Sequence, residues 1–371
     1  MGKNKIKNKP KILFILQIPH PFHGASILGA IIKNSLLINE EFECEFLRNF
    51  TTPLKNNSNN IFLKLINLFT LYKSLILKLL TEKYDLVYIE PTLARITIWK
   101  DIFITFIVKR KHKKKVIYHF FNNGIKENKY VPEYLKNIYF ENVKVILFDY
   151  KLFCNIEKYV SFKDVFILPN CSSIPLKNEF KRNYECEKPI ILFYSNIIES
   201  YDLWEIIFAC KILLDRGKKF ECIIVGKNYN LNLKKNEKYL VNNNLKNVIK
   251  LLKQKNNIEK EGIFRISDIY VLPTYYHDEG FPLFLLEAMQ FKLPIITTDV
   301  GAISEIINNE VNGLVINKKS SVEIADNLER LIDNKQLRKS LGEKAFEKFT
   351  SNFSQEIFIN NYIKILKENI E

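Results

Sequence analysis

The chain has 371 residues, 47% apolar and 26% charged, with 56 Lys and Arg against 41 Asp and Glu. The apolar share excludes a globally disordered chain, and only 11 Gly and 12 Pro exclude collagen-like or low-complexity architecture. At roughly 150 residues per domain the length favours two domains, and a formal charge of +15 points to nucleic acid, a phosphorylated ligand or a membrane surface as partner.

From the N-terminus, Met1–Lys11 is basic and Ile12–Leu16 is apolar. That run is shorter than a secretory leader needs and no small-residue cleavage site follows, so no leader is expected. Ile6 stands where a myristoylation pattern requires Ser or Thr. Strand-like runs follow at Lys11–Ile18, Glu43–Leu47, Tyr84–Ile89, Val116–Phe120, Val143–Phe148 and Asp164–Leu168. They resume at Pro189–Tyr194, Phe220–Val225, Asn247–Leu252, Asp268–Leu272 and Pro294–Thr298. Most are continuous apolar runs, as expected of parallel strands covered on both faces. Helical patterns lie between them, at Ser26–Ile38, Leu203–Leu214, Leu283–Phe291 and Val322–Ile332 among others. This alternation predicts an α/β chain of two doubly wound parallel-sheet domains, residues 1–172 and 186–350, facing a cleft. The Pro-containing stretch Asn170–Lys188 reads as the connector, and a C-terminal helix over 353–371 is expected to pack back on the first domain. The six cysteines show no C-x-x-C pair or zinc spacing, which suits a reducing compartment. No apolar window reaches the ~18 residues of a membrane span.

Ligands of open parallel sheets bind beyond the carboxyl ends of the strands, so residues just after strands are the ones to weigh. The first such loop, Pro19-His20-Pro21-Phe22-His23-Gly24-Ala25-Ser26, leads into a helix and also fits a plain turn capped by Ser26. His119 closes the fourth run. The basic run Lys109–Lys115 reads as a solvated helix end. Ile61–Leu80 gathers Lys64, Asn67, Ser74 and Lys78 on one narrow face, which fits a core helix or an interfacial helix on anionic lipid.

The densest constellation is Leu272-Pro273-Thr274-Tyr275-Tyr276-His277-Asp278-Glu279-Gly280-Phe281-Pro282, running on to Glu287-Ala288-Met289. Gly280 permits a tight turn, Pro282 suits the first turn of a helix, and that helix N-terminus is a natural phosphate site. Two carboxylates flanking an anion site suit hydroxyl-rich groups on either side of the phosphates. With Ser267–Pro273, Leu293-Pro294-Ile295-Ile296, Thr298-Asp299-Val300-Gly301-Ala302, Glu305-Ile306-Ile307 and Asn312-Gly313-Leu314-Val315, this block resembles the retaining glycosyltransferases of family 4.

The resemblance implies the GT-B fold of two Rossmann-like domains, with Glu279 at the donor sugar and Gly280, Phe281 and Pro282 at the sugar and diphosphate. It implies Glu287 on the ribose hydroxyls and His119 near the donor sugar. His23, Gly24 and Ala25 correspond to the family's glycine-rich loop near acceptor and phosphates, with His23 where the first Gly is usual. Ser195 and Asn196 open the second domain, but Tyr201 stands where many members carry Lys. Lys227 and Lys253 are the candidate replacements. No Asp-x-Asp occurs, in line with the metal-independent chemistry the resemblance implies, so no metal or other cofactor is expected. The expected partners are a nucleotide-sugar donor, a glycan or lipid-linked acceptor and an anionic membrane, with the protein cytoplasmic, free or at the inner face of the cell membrane. Nucleic acid is not expected, because the basic residues are scattered without a recognition signature. A non-catalytic nucleotide-sugar-binding protein of the same fold and a nucleotide-sugar epimerase remain open alternatives.

Overall fold

The apolar runs form two parallel sheets. A computed structural model describes residues 9–19, 23–49, 61–91, 98–111, 115–121, 131–176, 180–195, 203–226, 233–253, 257–276 and 280–370. The chain divides into two compact units, Met1–Asn170 with Glu356–Glu371, and Cys171–Gln355.

The first unit holds β1 (Lys11–Leu16), α1 (Gly24–Asn34), α2 (Leu36–Glu41), β2 (Glu43–Arg48), α3 (Ile61–Thr81), β3 (Leu86–Ile89), α4 (Ile98–Lys111), β4 (Val116–Phe120), α5 (Glu133–Phe140), β5 (Val143–Leu147) and β6 (Val165–Ile167). The sheet order is β2-β1-β3-β4-β5-β6. Ile12 to Leu16 of β1 are wholly buried, which is why this strand shows no alternation. At the edge, β2 carries Glu43 and Glu45, both paired with Lys11, a charged edge that discourages pairing with another chain. A Cβ on Gly29 would lie 2.0 Å from the Gln17 carbonyl oxygen, so only glycine lets α1 approach the end of β1 this closely.

The second unit holds β7 (Ile190–Tyr194), α6 (Leu203–Asp215), β8 (Glu221–Gly226), α7 (Leu233–Asn242), β9 (Ile249–Lys253), α8 (Asn257–Ile266), β10 (Ile269–Leu272), α9 (Leu283–Gln290), β11 (Ile295–Thr298), α10 (Ile303–Ile306), β12 (Leu314–Ile316), α11 (Ser321–Asp333) and α12 (Lys335–Asn352). Its order is β12-β11-β10-β7-β8-β9. The direction of winding reverses between β7 and β10, the switch point at which doubly wound sheets bind nucleotides. The last helix, α13 (Gln355–Ile370), lies mostly in the first unit. Its Tyr362 packs edge-on against Tyr88, and its terminal carbonyl at Ile370 accepts from Lys115 Nζ at 2.9 Å.

Several local expectations need correcting. The strand β12 was not among the expected runs, and the expected helix Ser26–Ile38 is two helices. Ser35 has extended backbone and its hydroxyl accepts from the Ile38 N–H, so it ends α1 and caps α2. The cap of α1 is His23, not Ser26: Nδ1 accepts from the Ser26 N–H at 3.3 Å, and Ser26 Oγ accepts from the His23 N–H at 3.0 Å. The basic run is not wholly solvated. Lys109 Nζ donates to the carbonyls of Ile138, Tyr139 and Glu141, closing α5, and burial pushes its ammonium down to about 8.

The stretch Asn170–Lys188 is more than a linker. Arg182 donates to the carbonyls of Phe291, Ser267 and Phe264, and Tyr184 Oη donates to the Lys292 carbonyl. These bonds fasten residues 182–184 to the C-terminal ends of α8 and α9.

The helix α3 presents an unusual outer face. It buries Leu71, Leu75 and Leu79 in one stripe and turns Lys78 to Glu45 on β2. Phe69, Leu77 and Leu80, 69%, 51% and 58% exposed, are left outward. Trp99, Phe103 and Phe106 of α4 form a second exposed row, joined to α3 by the edge-on contact of Phe103 with Tyr72 at 4.7 Å.

Candidate functional site

The carboxyl ends of β7 and β10 flank the switch point of the second sheet. Ser195 directly follows β7, is buried, and donates its N–H to the Val225 carbonyl at 3.1 Å. After β10 the chain is held against β11 by hydrogen bonds from Thr297 Oγ1 to the Leu272 carbonyl (2.8 Å) and from Thr298 Oγ1 to the Thr274 carbonyl. Gly280 then accepts from the Ala302 N–H at 3.3 Å, Phe281 packs edge-on against Phe353, and Pro282 caps α9 without a side-chain bond. Pro282 offers no side chain that could cap the first N–H groups of α9, an arrangement that suits an anion.

Glu287 lies inside α9 and is completely buried. Its Oε1 receives Lys260 Nζ at 2.5 Å and the hydroxyl of Ser173, while Lys260 Nζ also donates to Ser173 Oγ at 2.9 Å. Its Oε2 is buried with no hydrogen-bond partner among the described residues. The ammonium of Lys260 sits 5.3 Å from the centre of the Phe284 ring, which in turn packs on Tyr194 at 5.2 Å. One turn further along α9, Gln290 Oε1 accepts from Ser172 Oγ at 2.6 Å. Residues 172–173 therefore lie along α9 and bond to both of its buried polar side chains.

Neither Lys260 nor Ser173 was marked from the sequence. Lys260 had a legible signal, because it shares one helical face with Ile263, Phe264 and Ser267, all buried. A lysine on an apolar helix face requires a partner. Asp268, within the block that carries the family resemblance, is structural: its carboxylate accepts from the Ile190 N–H at 2.8 Å and ties the starts of β7 and β10 together.

In the first unit, His119 is buried, with Nδ1 2.6 Å from Tyr88 Oη, its ring 4.1 Å from that of Phe121, and Nε2 without a partner. Burial pushes the imidazole down to about 3, so it is neutral at physiological pH. Its ring also stacks near Tyr362 at 6.4 Å. Gly24 opens α1 on the exposed surface and Ala25 is half-buried. A further polar cluster lies beyond the ends of β1, β2 and β3. Glu90 Oε2 accepts from the Gln17 N–H at 2.8 Å, Asn49 Nδ2 donates to the Glu90 carbonyl at 2.7 Å, and Lys100 donates to Asn49. Glu279, Asn196 and Lys227, with His20, His277 and Tyr201, lie outside the described residues. Lys253 ends β9 on the exposed surface.

The fold has close counterparts among solved structures. A glycosyltransferase from Rickettsia africae aligns with a TM-score of 0.71 at 18% identity, over 98% of this chain and 99% of that one. Anabaena HepE, solved with UDP and glucose, aligns at 0.69 and 14% identity, over 97% of this chain and 100% of that one. The two sheets are thus those of the GT-B glycosyltransferase fold. Residues 176–348, which lie in the second unit, match the family described as glycosyl transferases group 1. An uncharacterized glycosyltransferase of Methanocaldococcus jannaschii is 35% identical over 42% of this chain and 44% of its own length. The capsular polysaccharide biosynthesis glycosyltransferase CapM of Staphylococcus aureus is 27% identical over 45% of this chain and 43% of its own. The chain spans less than half the length of these curated relatives.

Proposed function

We propose that the protein is a retaining, metal-independent glycosyltransferase. It moves a sugar from a nucleotide-diphosphate donor, with UDP the first candidate, to a hydroxyl of a glycan or lipid-linked saccharide. The observation that carries this reading is Glu287: a buried carboxylate with one oxygen bonded and the other unpartnered, on the helix that follows the switch-point strand of a group 1 domain. An unpartnered buried oxygen is costly, and a ribose hydroxyl satisfies it. UDP is chosen because Anabaena HepE, which shares the fold, binds it.

In this reaction the acceptor hydroxyl oxygen bonds to the anomeric carbon on the face from which the diphosphate departs. The bond from that carbon to the phosphate oxygen breaks, and the acceptor proton passes to the leaving diphosphate. The backbone donors at the start of α9 would stabilise the charge developing there. Glu279 would orient the sugar and Glu287 the ribose. His119, neutral and with Nε2 unpartnered, would serve as a hydrogen-bonding group and not as an acid. Incubation with a panel of nucleotide sugars should raise the melting temperature selectively and yield a product with the donor's anomeric configuration. Glu287→Ala should abolish both effects, and unchanged turnover and nucleotide affinity in that variant would overturn the reading.

The exposed apolar rows on α3 and α4 support a second part of the proposal, attachment to an anionic membrane. Arg110 lies 5.7 Å from the Phe106 ring, placing a cation beside the aromatic row. Apolar side chains with flanking cations bind the interface of anionic bilayers. Among the described residues no helix is long and apolar enough to cross a membrane. Co-sedimentation with phosphatidylglycerol vesicles at low salt should capture the protein, and replacing Phe69, Leu77 and Phe103 with Ser should release it. Retention of the triple variant would refute this surface.

A further inference from the structure

The buried pair between Lys260 and Glu287 calls for an explanation that stability does not supply. Well-packed apolar residues usually serve a core as well as a buried ion pair does, or better. Where such a pair is structural, its remaining lone pairs and protons are normally satisfied as well. Here the satisfaction is one-sided. Lys260 and Ser173 both bond to Oε1, and Oε2 is left with nothing. The ammonium is itself held by Ser173 Oγ and flanked by the Phe284 ring, so it cannot swing to the second oxygen without losing these contacts. The hydroxyl of Ser173 sits in the segment fastened to α9 through the bond between Ser172 and Gln290.

We propose that Lys260 and Ser173 are positioning residues that clamp Glu287 by one oxygen and present the other to a vicinal diol. The inference rests on the function proposed above and deepens it: the diol is the ribose of the nucleotide, and the clamp makes the site selective for ribonucleotides. Lys260 balances the buried negative charge without reaching the ligand. Its effect is therefore confined to the hydroxyls that Glu287 contacts. A lysine that bound the diphosphate would act on any nucleotide, with or without those hydroxyls.

The test is calorimetric titration of the full chain with UDP and with its 2′,3′-dideoxy analogue. Wild type should prefer UDP by about tenfold or more. Lys260→Met should remove most of that preference by weakening UDP binding while leaving the analogue's affinity unchanged. Ser173→Ala should remove a smaller part of it. Because Lys260→Met leaves a lone buried carboxylate and can fail to fold, the double variant Lys260→Met with Glu287→Gln is measured as well. Acting only through Glu287, Lys260 should add no further loss to that of Glu287→Gln alone. A preference that persists in Lys260→Met, equal loss for both nucleotides, or additive losses in the double variant would overturn the clamp while leaving the glycosyltransferase reading intact. A wild type that binds both alike would overturn the ribose assignment of Glu287 and the clamp, and one that binds neither would overturn the function proposed above with UDP as donor, and the clamp with it.

Discussion

Glu90, just past β3, and Glu287, on α9, are both fully buried carboxyls with one unpartnered oxygen, yet their surroundings differ. Around Glu90, burial pushes the carboxyl well above the usual carboxylate range, against the Gln17 N–H and the nearby Lys100 charge, while Asp101 raises it further. His119, in the same unit, is driven the other way and is also neutral. The first sheet thus buries these ionisable groups by discharging them. The second buries Glu287 with an ammonium at 2.5 Å. Discharge lowers the cost of desolvation and gives up strong hydrogen bonding to a ligand. A matched pair retains a charged acceptor and depends on its partner.

Three measurements test that contrast. The largest effect is expected for Glu287→Ala, which strands Lys260 without a counter-charge and should cost about 3–5 kcal/mol in denaturant unfolding of the second unit. Replacing the pair with Met at 260 and Leu at 287 should recover most of the loss, and failure to recover it would show that the pair itself holds the fold.

A medium effect is expected from pH. The folded protein keeps His119 neutral down to about 3, whereas the unfolded chain protonates it near 6.5. The unfolded state therefore binds more protons as pH falls, and stability is lost below 6.5. Between pH 7 and 5 this amounts to about 2 kcal/mol, which His119→Gln should remove from the pH profile. An unchanged slope in that variant would mean that the imidazole is not discharged by burial.

The smallest effect is expected for Glu90→Gln. A carboxyl raised above its unfolded value contributes stability at low pH and loses it as pH rises through the folded value. The amide should therefore match wild type at acid pH and equal or exceed it at pH 7 and above. Glu287→Gln, by contrast, should destabilise throughout the neutral range. If the two variants behave alike, the contrast between the two sheets fails.

Much of the fold is legible in the residues. Continuous runs such as Ile12–Leu16 and Ile190–Tyr194 are buried on both faces, so composition alone marks them as parallel strands. The strand Leu314–Ile316 is too short for that signal, and the break at Ser35 is hidden because apolar residues continue on both sides of it. For α3, the polar positions 64, 67, 74 and 78 define a face but not its direction. Lys78 points to Glu45 because β2 offers a carboxylate there, and the apolar arc is divided between Leu71, Leu75 and Leu79 inside and Phe69, Leu77 and Leu80 outside. The candidate site was half legible. The run through Gly280 and Pro282 to Glu287 is local, and turn chemistry and helix start can be read from adjacent residues.

The fold class of the chain is readable from its residues alone. Two sets of apolar runs alternate with helical patterns, and one block of motif residues resembles that of glycosyltransferases; such features are readable because strand burial and helix initiation are set by near neighbours. What holds Glu287 depends on packing between distant segments. Lys260 stands 27 residues away and Ser173 stands 114 away. Contacts across such separations arise from how α8, α9 and the segment at 172–173 pack, and no local spacing encodes that packing. The same holds for the formal charge of +15. Lys109 caps α5, Lys115 ties the last helix from the exposed surface, and Lys260 is buried against Glu287, and a net charge gives no indication of which cations remain for a partner.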